Sequence, residues 1–271
     1  MKIAILGING MLGTAVQEKF RESGIPTDGF ARPDFDAENP NLGALRNYDY
    51  VINCIGIIKP YIHDNNAAEV LRAIRVNSEF PHLLARLDSK IIQIATDCVW
   101  DGAYGNYTET DQHNATDVYG KTKSLGEVSA DNFMNLRCSI IGREKKNFLS
   151  LLEWFLHQPQ NAKLNGFKNH LWNGLTTNAF ADICVGIIKN NMWFGGLQHV
   201  IPADIVSKAQ MLHIFAEHFG RGDIQITDID ATTPINRTIA TNNPTRNAEL
   251  WEMAEYKKIP TVAEMIKQIQ K

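Results

Sequence analysis

Four cysteines in 271 residues, none of them in a CxxC pair, exclude a disulfide-stapled scaffold and a thiolate zinc module. Cys54, Cys98, Cys138 and Cys184 lie far apart in apolar stretches, as expected of reduced core thiols in a cytoplasmic protein. The eight histidines form no HxxxH or HExxH pattern, so no metal site is expected. No segment approaches the roughly 18 apolar residues of a membrane helix, which removes a membrane as partner. The opening run Met1–Leu6 stops at Gly7, too short for the core of a secretory leader, and reads as a buried strand. Net charge is also scarce: 27 basic against 30 acidic residues leave −3, with no basic field for nucleic acid. Internal repeats and low-complexity segments are absent.

What is present is a chain with 44% hydrophobic residues, enough for one globular enzyme or a large domain carrying a smaller lobe. In the first half, short β-rich apolar runs at 2–6, 26–31, 50–55, 90–96 and 135–141 alternate with helical patterns. Apolar residues recur at three- and four-residue steps over 11–23, 67–87 and 118–132, which predicts helices there. Such alternation builds βαβ units. The expected fold is α/β, a doubly wound parallel sheet of Rossmann type with a smaller mixed α/β substrate lobe. Beyond about residue 142 the rhythm loosens. Helices are expected at 148–157, 178–189, 207–218 and 260–269, a loop rich in Asn, Gly and Trp after the first of these, and a strand at 196–202 returning to the main sheet. Residues 1–150 then form the nucleotide-binding domain, joined by 175–202, and residues 151–174 and 203–271 the substrate lobe.

The strongest local signal is Gly7-Ile8-Asn9-Gly10-Met11-Leu12-Gly13, between a strand and a helix. The first glycine turns the chain, the second lets backbone approach a pyrophosphate, and the third lets helix pack on strand. A dinucleotide would rest its phosphates on the free N–H groups of the helix start. Three glycines near a turn can also be punctuation, but the strand before and the helix after favour the cofactor. At the end of the second strand stands Arg32, where an NAD enzyme usually has an acid. A guanidinium there suits a 2′-phosphate, favouring NADP(H) over NAD(H). Asp28 competes from an earlier position, and Arg32 as a mere solvated charge is the plain alternative.

Tyr119 and Lys123 stand four residues apart, on one face of a predicted helix. Such a pair arises readily by chance; its position after the fourth strand of a sheet that opens with a phosphate loop gives it weight. A phenol of pKa about 10 serves as acid or base near neutrality only when nearby positive charge stabilises its anion, and Lys123 supplies that charge. Thr96 ends the fourth strand, where ligands gather in open α/β sheets. Its hydroxyl is placed to hold a substrate carbonyl while Tyr119 protonates the oxygen. A β-branched residue ending a strand is the structural alternative.

These residues together resemble the extended short-chain dehydrogenases, most closely the dTDP-4-dehydrorhamnose reductase family. Ala95-Thr96-Asp97-Cys98-Val99-Trp100-Asp101-Gly102 is similar to that family's S-T-D-Y-V-F-D-G, and Tyr107-Thr108-Glu109-Thr110-Asp111 to its Y-x-E-x-D. Val118-Tyr119-Gly120-Lys121-Thr122-Lys123-Ser124-Leu125-Gly126-Glu127 resembles V-Y-G-K-[ST]-K-L-x-G-E. Val51-Ile52-Asn53-Cys54 is similar to V-I-N-A, Val76-Asn77 to V-N, and Arg32 and Asp36 fall on R-x-x-L-D.

The resemblance implies a reductase passing hydride to the C4 carbonyl of a nucleotide-linked 4-keto-6-deoxy sugar. Thr96, Tyr119 and Lys123 would be catalytic. Gly7, Asn9, Gly10, Met11, Leu12, Gly13, Arg32, Asp36, Cys54, Ile55, Gly56 and Asn77 would hold the cofactor, with Tyr119 and Lys123. Thr96, Asp97, Val99 and Trp100 would meet the sugar. His170, Trp172 and Asn173 are added from their place before the helix at the lobe junction, where Trp172 offers a flat face to a ring and its neighbours offer hydrogen bonds. Departures fall there too: the family often has D-Q-x-G-x-P-T, this chain Leu171-Trp172-Asn173-Gly174-Leu175-Thr176-Thr177, and Cys98 and Ile57-Ile58-Lys59-Pro60 also differ from the family pattern. Two other functions use the same fold. One is a nucleotide-sugar epimerase with tightly bound NAD; the other is a non-catalytic NADP-binding regulatory subunit. A homodimer is a candidate assembly.

Overall fold

The computed structural model describes all 271 residues, Met1–Lys271. The first half runs β1 (Ile3–Leu6), α1 (Met11–Glu22), β2 (Asp28–Phe30), β3 (Tyr50–Asn53), α2 (Ala67–Ala73), α3 (Phe80–Leu84), β4 (Lys90–Ala95), α4 (Val118–Leu125) and β5 (Phe133–Arg137). The chain continues through β6 (Ile140–Ile141), α5 (Leu151–Leu156), β7 (Lys163–Phe167), β8 (His170–Trp172), β9 (Leu175–Thr176), α6 (Thr177–Lys189) and β10 (Gly196–His199). It closes with β11 (Val206–Ser207), α7 (Lys208–Phe219), β12 (Gln225–Ile229), β13 (Ile235–Asn236), α8 (Pro244–Met253) and α9 (Val262–Lys267).

Six strands form one parallel sheet in the order β2-β1-β3-β4-β5-β10, as the alternating pattern predicts. Strand order reverses between β1 and β3, and the carboxyl ends of those strands open a crevice where ligands bind in this architecture. Successive residues of β1 face opposite sides. Ile3 and Ile5 join a core of 35 buried residues with Val16 and Phe20 of α1 and Ile183 and Ile187 of α6. Ala4 and Leu6 join a second core of 16 with Val76, Phe80 and Leu84 on the other face. Burial on both faces is why these strands read as continuous apolar runs.

Several boundaries differ from the sequence reading. The helix expected to reach residue 132 stops at Leu125, because Gly126 passes so close to the Asn77 carbonyl that a Cβ would lie 1.9 Å from its oxygen. The strand expected at 135–141 is two strands, with β5 in the main sheet and β6 turning away to pair with β9. The long helix expected over 67–87 contains a π-helical stretch, Ile74–Glu79, just before Pro81, whose nitrogen carries no hydrogen to donate. The helix expected from residue 148 begins at Leu151, since Phe148 sits at φ +50° and Ser150 caps the first turn through Glu153 N. The segment expected as a loop holds β7 and β8. β8 lies between β11 and β13 in a small mixed sheet. No helix is long and apolar enough to cross a membrane.

Candidate active site

The glycine loop sits at the strand-order reversal. Gly7 has φ +85°, a conformation that disfavours any Cβ, and its N–H donates to the Phe30 carbonyl at 2.7 Å. Gly13 lies in the first turn of α1, and a Cβ on it would stand 2.1 Å from the Gly7 carbonyl oxygen. Helix and loop therefore touch backbone to backbone. Gly10 caps α1 without any side-chain hydrogen bond, and the first turn carries no acidic residue. That leaves its N–H groups and the positive end of the helix dipole free for an anion.

Asn9 and Gly10 are exposed at the loop tip, Met11 is half-buried, and Leu12 is buried in the core. Leu12 therefore supports the loop from beneath through its side chain. Arg32 is exposed just past β2, while Asp36, half-buried, accepts a hydrogen bond from Glu38 N at 3.0 Å. On the other side of the crevice, Cys54 and Ile55 pack against Gly7. Burial pushes the Cys54 thiol up to about 12, so it is a neutral wall residue. Asn77 is buried, accepts from Ile57 N at 2.8 Å and donates to Ile57 O at 3.0 Å. It shapes the Ile55–Ile57 loop, leaving Gly56 exposed at its tip.

Thr96, Tyr119 and Lys123 meet one strand over. Thr96 follows the last residue of β4, its Oγ1 accepting from Cys98 N and donating to the Asp97 carboxylate, both at 3.2 Å. α4 is anchored by Asp117, which caps Gly120 N at 2.7 Å and pairs with Lys59 across the cleft at 2.7 Å. That orientation turns Tyr119 toward Thr96, whose hydroxyl acts on the phenol. Burial pushes the Tyr119 phenol up, Cys98 adds to the rise, and the Thr96 hydroxyl counters it. Lys123 donates to the Ile94 carbonyl at 3.2 Å; burial lowers its pKa and the charge of Glu127 raises it. Asp97 is raised by burial and lowered by Arg237, which reaches over from beyond β13 to donate to the Trp100 and Asp101 carbonyls at 3.3 and 3.4 Å. The arrangement brings a hydroxyl and a phenol together just past β4, with the Lys123 ammonium on the Ile94 carbonyl of the same strand.

Not every expected contact residue lines that point. Val99 and Trp100 are 0% and 1% exposed, sealed in a small core with Tyr107 and Ile239. The Trp100 ring stacks on Tyr107 at 4.7 Å, so both side chains hold the loop instead of meeting a sugar. Asn173 is likewise committed, accepting from Ile239 N at 3.0 Å and donating to Ile239 O at 2.7 Å. Trp172 is half-buried and packs against the large core. The His170 ring lies 4.7 Å from that of Phe167, tilted by 46°, and His170 Nε2 donates to the Thr233 carbonyl at 3.1 Å. Arg237 went unnoticed in the sequence, and Lys59 was marked only as part of a departure from the family pattern, because nothing local shows that tertiary contact brings a lone basic residue to its partner. A cavity of about 850 Å³ lies elsewhere, between α1, α6 and the C-terminal segment, and no residue of the Thr-Tyr-Lys set lines it.

A doubly wound sheet with a glycine loop at its reversal and Thr, Tyr and Lys at the next strand end has the architecture of an extended short-chain dehydrogenase/reductase. Residues 1–268 match the family described as the RmlD substrate binding domain, and the chain belongs to that family. It is 30% identical over 139 residues to methionine adenosyltransferase 2 subunit beta of Bos taurus, covering 46% of this chain and 41% of that protein. It is 28% identical over 137 residues to dTDP-4-dehydrorhamnose reductase of Mycobacterium tuberculosis, covering 46% and 44%. The chain thus spans less than half the length of the curated relatives it matches. Among solved structures, a dTDP-4-dehydrorhamnose reductase from Clostridium acetobutylicum superimposes with a TM-score of 0.78 at 21% identity, over 99% of this chain and 98% of that one. The Bacillus anthracis dTDP-4-dehydrorhamnose reductase in complex with NADP gives 0.77 at 16% identity, over 99% and 98%. These likenesses establish the shared fold.

Proposed function

We propose that the chain is an NADP(H)-dependent reductase of the C4 carbonyl of a nucleotide-linked 4-keto-6-deoxy sugar. The observation that carries this reading is the meeting of Thr96, Tyr119 and Lys123 at the end of β4, beside a glycine loop whose helix start is free for an anion. The residues present fit a dinucleotide: a Cβ at Gly13 would strike backbone, so the close loop–helix approach exists only with glycine there. Gly7 to Gly13 would hold the pyrophosphate and Arg32 a 2′-phosphate, with Cys54, Ile55 and Gly56 walling the other side. When bound, the nicotinamide supplies the hydride.

The chain's own residues do the rest. Thr96 orients the sugar carbonyl by turning its hydroxyl hydrogen from Asp97 to that oxygen, and Tyr119 delivers the proton that oxygen takes up. Lys123 makes that proton easier to release by stabilising the phenolate, and binds ribose hydroxyls with its remaining N–H groups. Arg237, held against the loop before the sugar site, keeps the Asp97 carboxylate compensated. The test is NADPH oxidation against a panel of dTDP-, UDP- and GDP-linked 4-keto-6-deoxy sugars. Turnover with one of them supports the reading; no turnover with any, in protein that binds NADPH, refutes it. That outcome favours the second reading, an NADP-binding regulatory subunit, which the likeness to methionine adenosyltransferase 2 subunit beta supports.

A further inference from the structure

Asparagine followed by glycine occurs three times, at Asn9-Gly10, Asn165-Gly166 and Asn173-Gly174. A glycine puts no side chain between its own backbone nitrogen and the asparagine amide before it, and the structure decides which pair can use that opening. Asn173 is 6% exposed, with both ends of its amide bonded to the Ile239 backbone at 2.7 and 3.0 Å. Asn165 is exposed, but it lies inside β7, held extended by its pairing with β12. Gly166 beside it is pressed on α7, where a Cβ would stand 2.9 Å from Ala209 Cα. Packing and pairing keep both asparagines from folding back on the chain.

Asn9-Gly10 is built differently. Both residues are exposed at the tip of the glycine loop, and no hydrogen bond holds the Asn9 amide. The Gly10 nitrogen is tied by a single turn bond, donated to the Gly7 carbonyl at 2.9 Å. The pair also stands in a segment fixed at both ends, with Gly7 at φ +85° beside Cys54 and Gly13 packed directly on the Gly7 carbonyl. No acidic residue lies in the first turn of α1, so the anion site carries no negative charge of its own.

We infer that Asn9 is a site of spontaneous deamidation that disables the dinucleotide loop, and that bound dinucleotide protects it. The Gly10 nitrogen attacks Asn9 Cγ, its proton passing through solvent to the departing nitrogen. A succinimide ring closes on the new N–C bond, the Cγ–Nδ2 bond breaks, and ammonia leaves. Water then opens the ring at either carbonyl, leaving an aspartyl or an isoaspartyl residue, and no oxidant or reductant takes part. The aspartyl product brings a carboxylate to the pyrophosphate site, where like charges repel. The isoaspartyl product routes the main chain through the former side chain, adding a methylene to a loop pinned by Gly7 and Gly13. The N–H groups at the start of α1 then lose their aim. A seated pyrophosphate commits those groups and stills the turn that must open for the attack.

The consequence for binding rests on the dinucleotide reading of the loop; the deamidation itself does not. The whole chain, freed of nucleotide and held warm at mildly alkaline pH, is followed by mass-spectrometric mapping of the three Asn-Gly peptides. Asn9 should convert to aspartyl and isoaspartyl forms while Asn165 and Asn173 remain amides, and the fraction able to bind NADPH should fall in step. NADP+ at about ten times its dissociation constant should slow the conversion about ten-fold. Gly10→Ala, whose methyl shields the attacking nitrogen, should slow it as well. Asn9→Asp supplies one product directly and should bind NADPH about 100-fold more weakly, with Tm near wild type because a carboxylate favours a helix start. An Asn9 that stays an amide, or converts no faster than Asn165 and Asn173, overturns the inference. Conversion that leaves NADPH binding intact, or that NADP+ does not slow, overturns it too. Fresh protein that never binds NADPH counts against the dinucleotide reading alone, and the comparison of the three peptides still decides the deamidation.

Discussion

Replacing Gly13 by alanine tests the phosphate loop where its geometry is least forgiving. The added methyl would stand 2.1 Å from the Gly7 carbonyl oxygen and 2.6 Å from its carbon. Ordinary contact begins near 3.4 Å, so backbone on one side must retreat by roughly 1 Å, and no side-chain rotation relieves it. Overpacking of this kind costs about 1–3 kcal/mol, offset by about 1 kcal/mol for alanine's better helix propensity. At about 2–4 °C per kcal/mol for a chain of this size, the net cost of up to about 2 kcal/mol should lower Tm by up to about 8 °C. The larger effect falls on the loop's N–H groups: a displacement of roughly 1 Å spoils their aim at a pyrophosphate, and NADPH affinity should drop by about 100-fold or more. Gly10→Ala is the control. Its methyl would lie 3.3 Å from the same oxygen, a strain relieved by a few tenths of an ångström, so Tm should stay near wild type while NADPH binding weakens through contact with the ligand itself. Fluorescence titration with NADPH and thermal unfolding of both variants read the two effects separately. Gly13→Ala protein with wild-type Tm and wild-type NADPH affinity would refute the reasoning.

Other outcomes follow from the same structure. Tyr119→Phe should lower kcat by about 10²- to 10⁴-fold with NADPH binding and Tm close to wild type, as expected on loss of a positioned general acid; near-normal turnover on the true substrate would disprove that role. Arg32→Ala should raise the Michaelis constant for NADPH and leave that for NADH nearly unchanged, and an equal effect on both would show that the guanidinium does not read a 2′-phosphate. Asn173→Ala should destabilise the fold by about 1–3 kcal/mol, because the Ile239 N–H and carbonyl both lose their partner, and should leave the sugar's Michaelis constant unchanged in the folded fraction. Burial and Arg137 hold the His199 imidazole down at about 4, below its ordinary 6.5. The folded state therefore binds this proton less readily than the unfolded chain, and the stability involved is complete above about pH 6.5 and lost as pH falls toward 4, amounting to about 3 kcal/mol. Unfolding midpoints measured from pH 7 to 4 should show the decline, and it should be smaller in His199→Gln.

The parallel sheet was legible because strands buried on both faces write themselves as uninterrupted apolar runs, and α1 because Gly7 and Gly13 bracket its start. The C-terminal half was harder to read. β8, β11 and β13 are two or three residues each, too short for any periodicity, and exist only because they pair with one another. The end of α4 was set by the approach of Gly126 to Asn77, a contact across 49 positions that no local propensity reveals. Val99 and Trp100 were expected at the sugar from the family resemblance, and Asn173 from its place before the helix at the lobe junction. The structure turns the first two into a core with Ile239 and spends the third on the same residue's backbone.

By itself the sequence determined the fold class, the phosphate loop and the helical spacing of Tyr119 and Lys123, since each of these is a property of neighbours along the chain. Only the tertiary structure decided which groups face the cleft and which stand behind it. Arg237 arrives from a segment 140 residues beyond Asp97, and Glu127, His113 and His199 close on Arg137 from the end of a helix, a loop and another strand. Charges act on a pKa through distance and burial, and both are set by packing between elements that the order of residues does not place side by side.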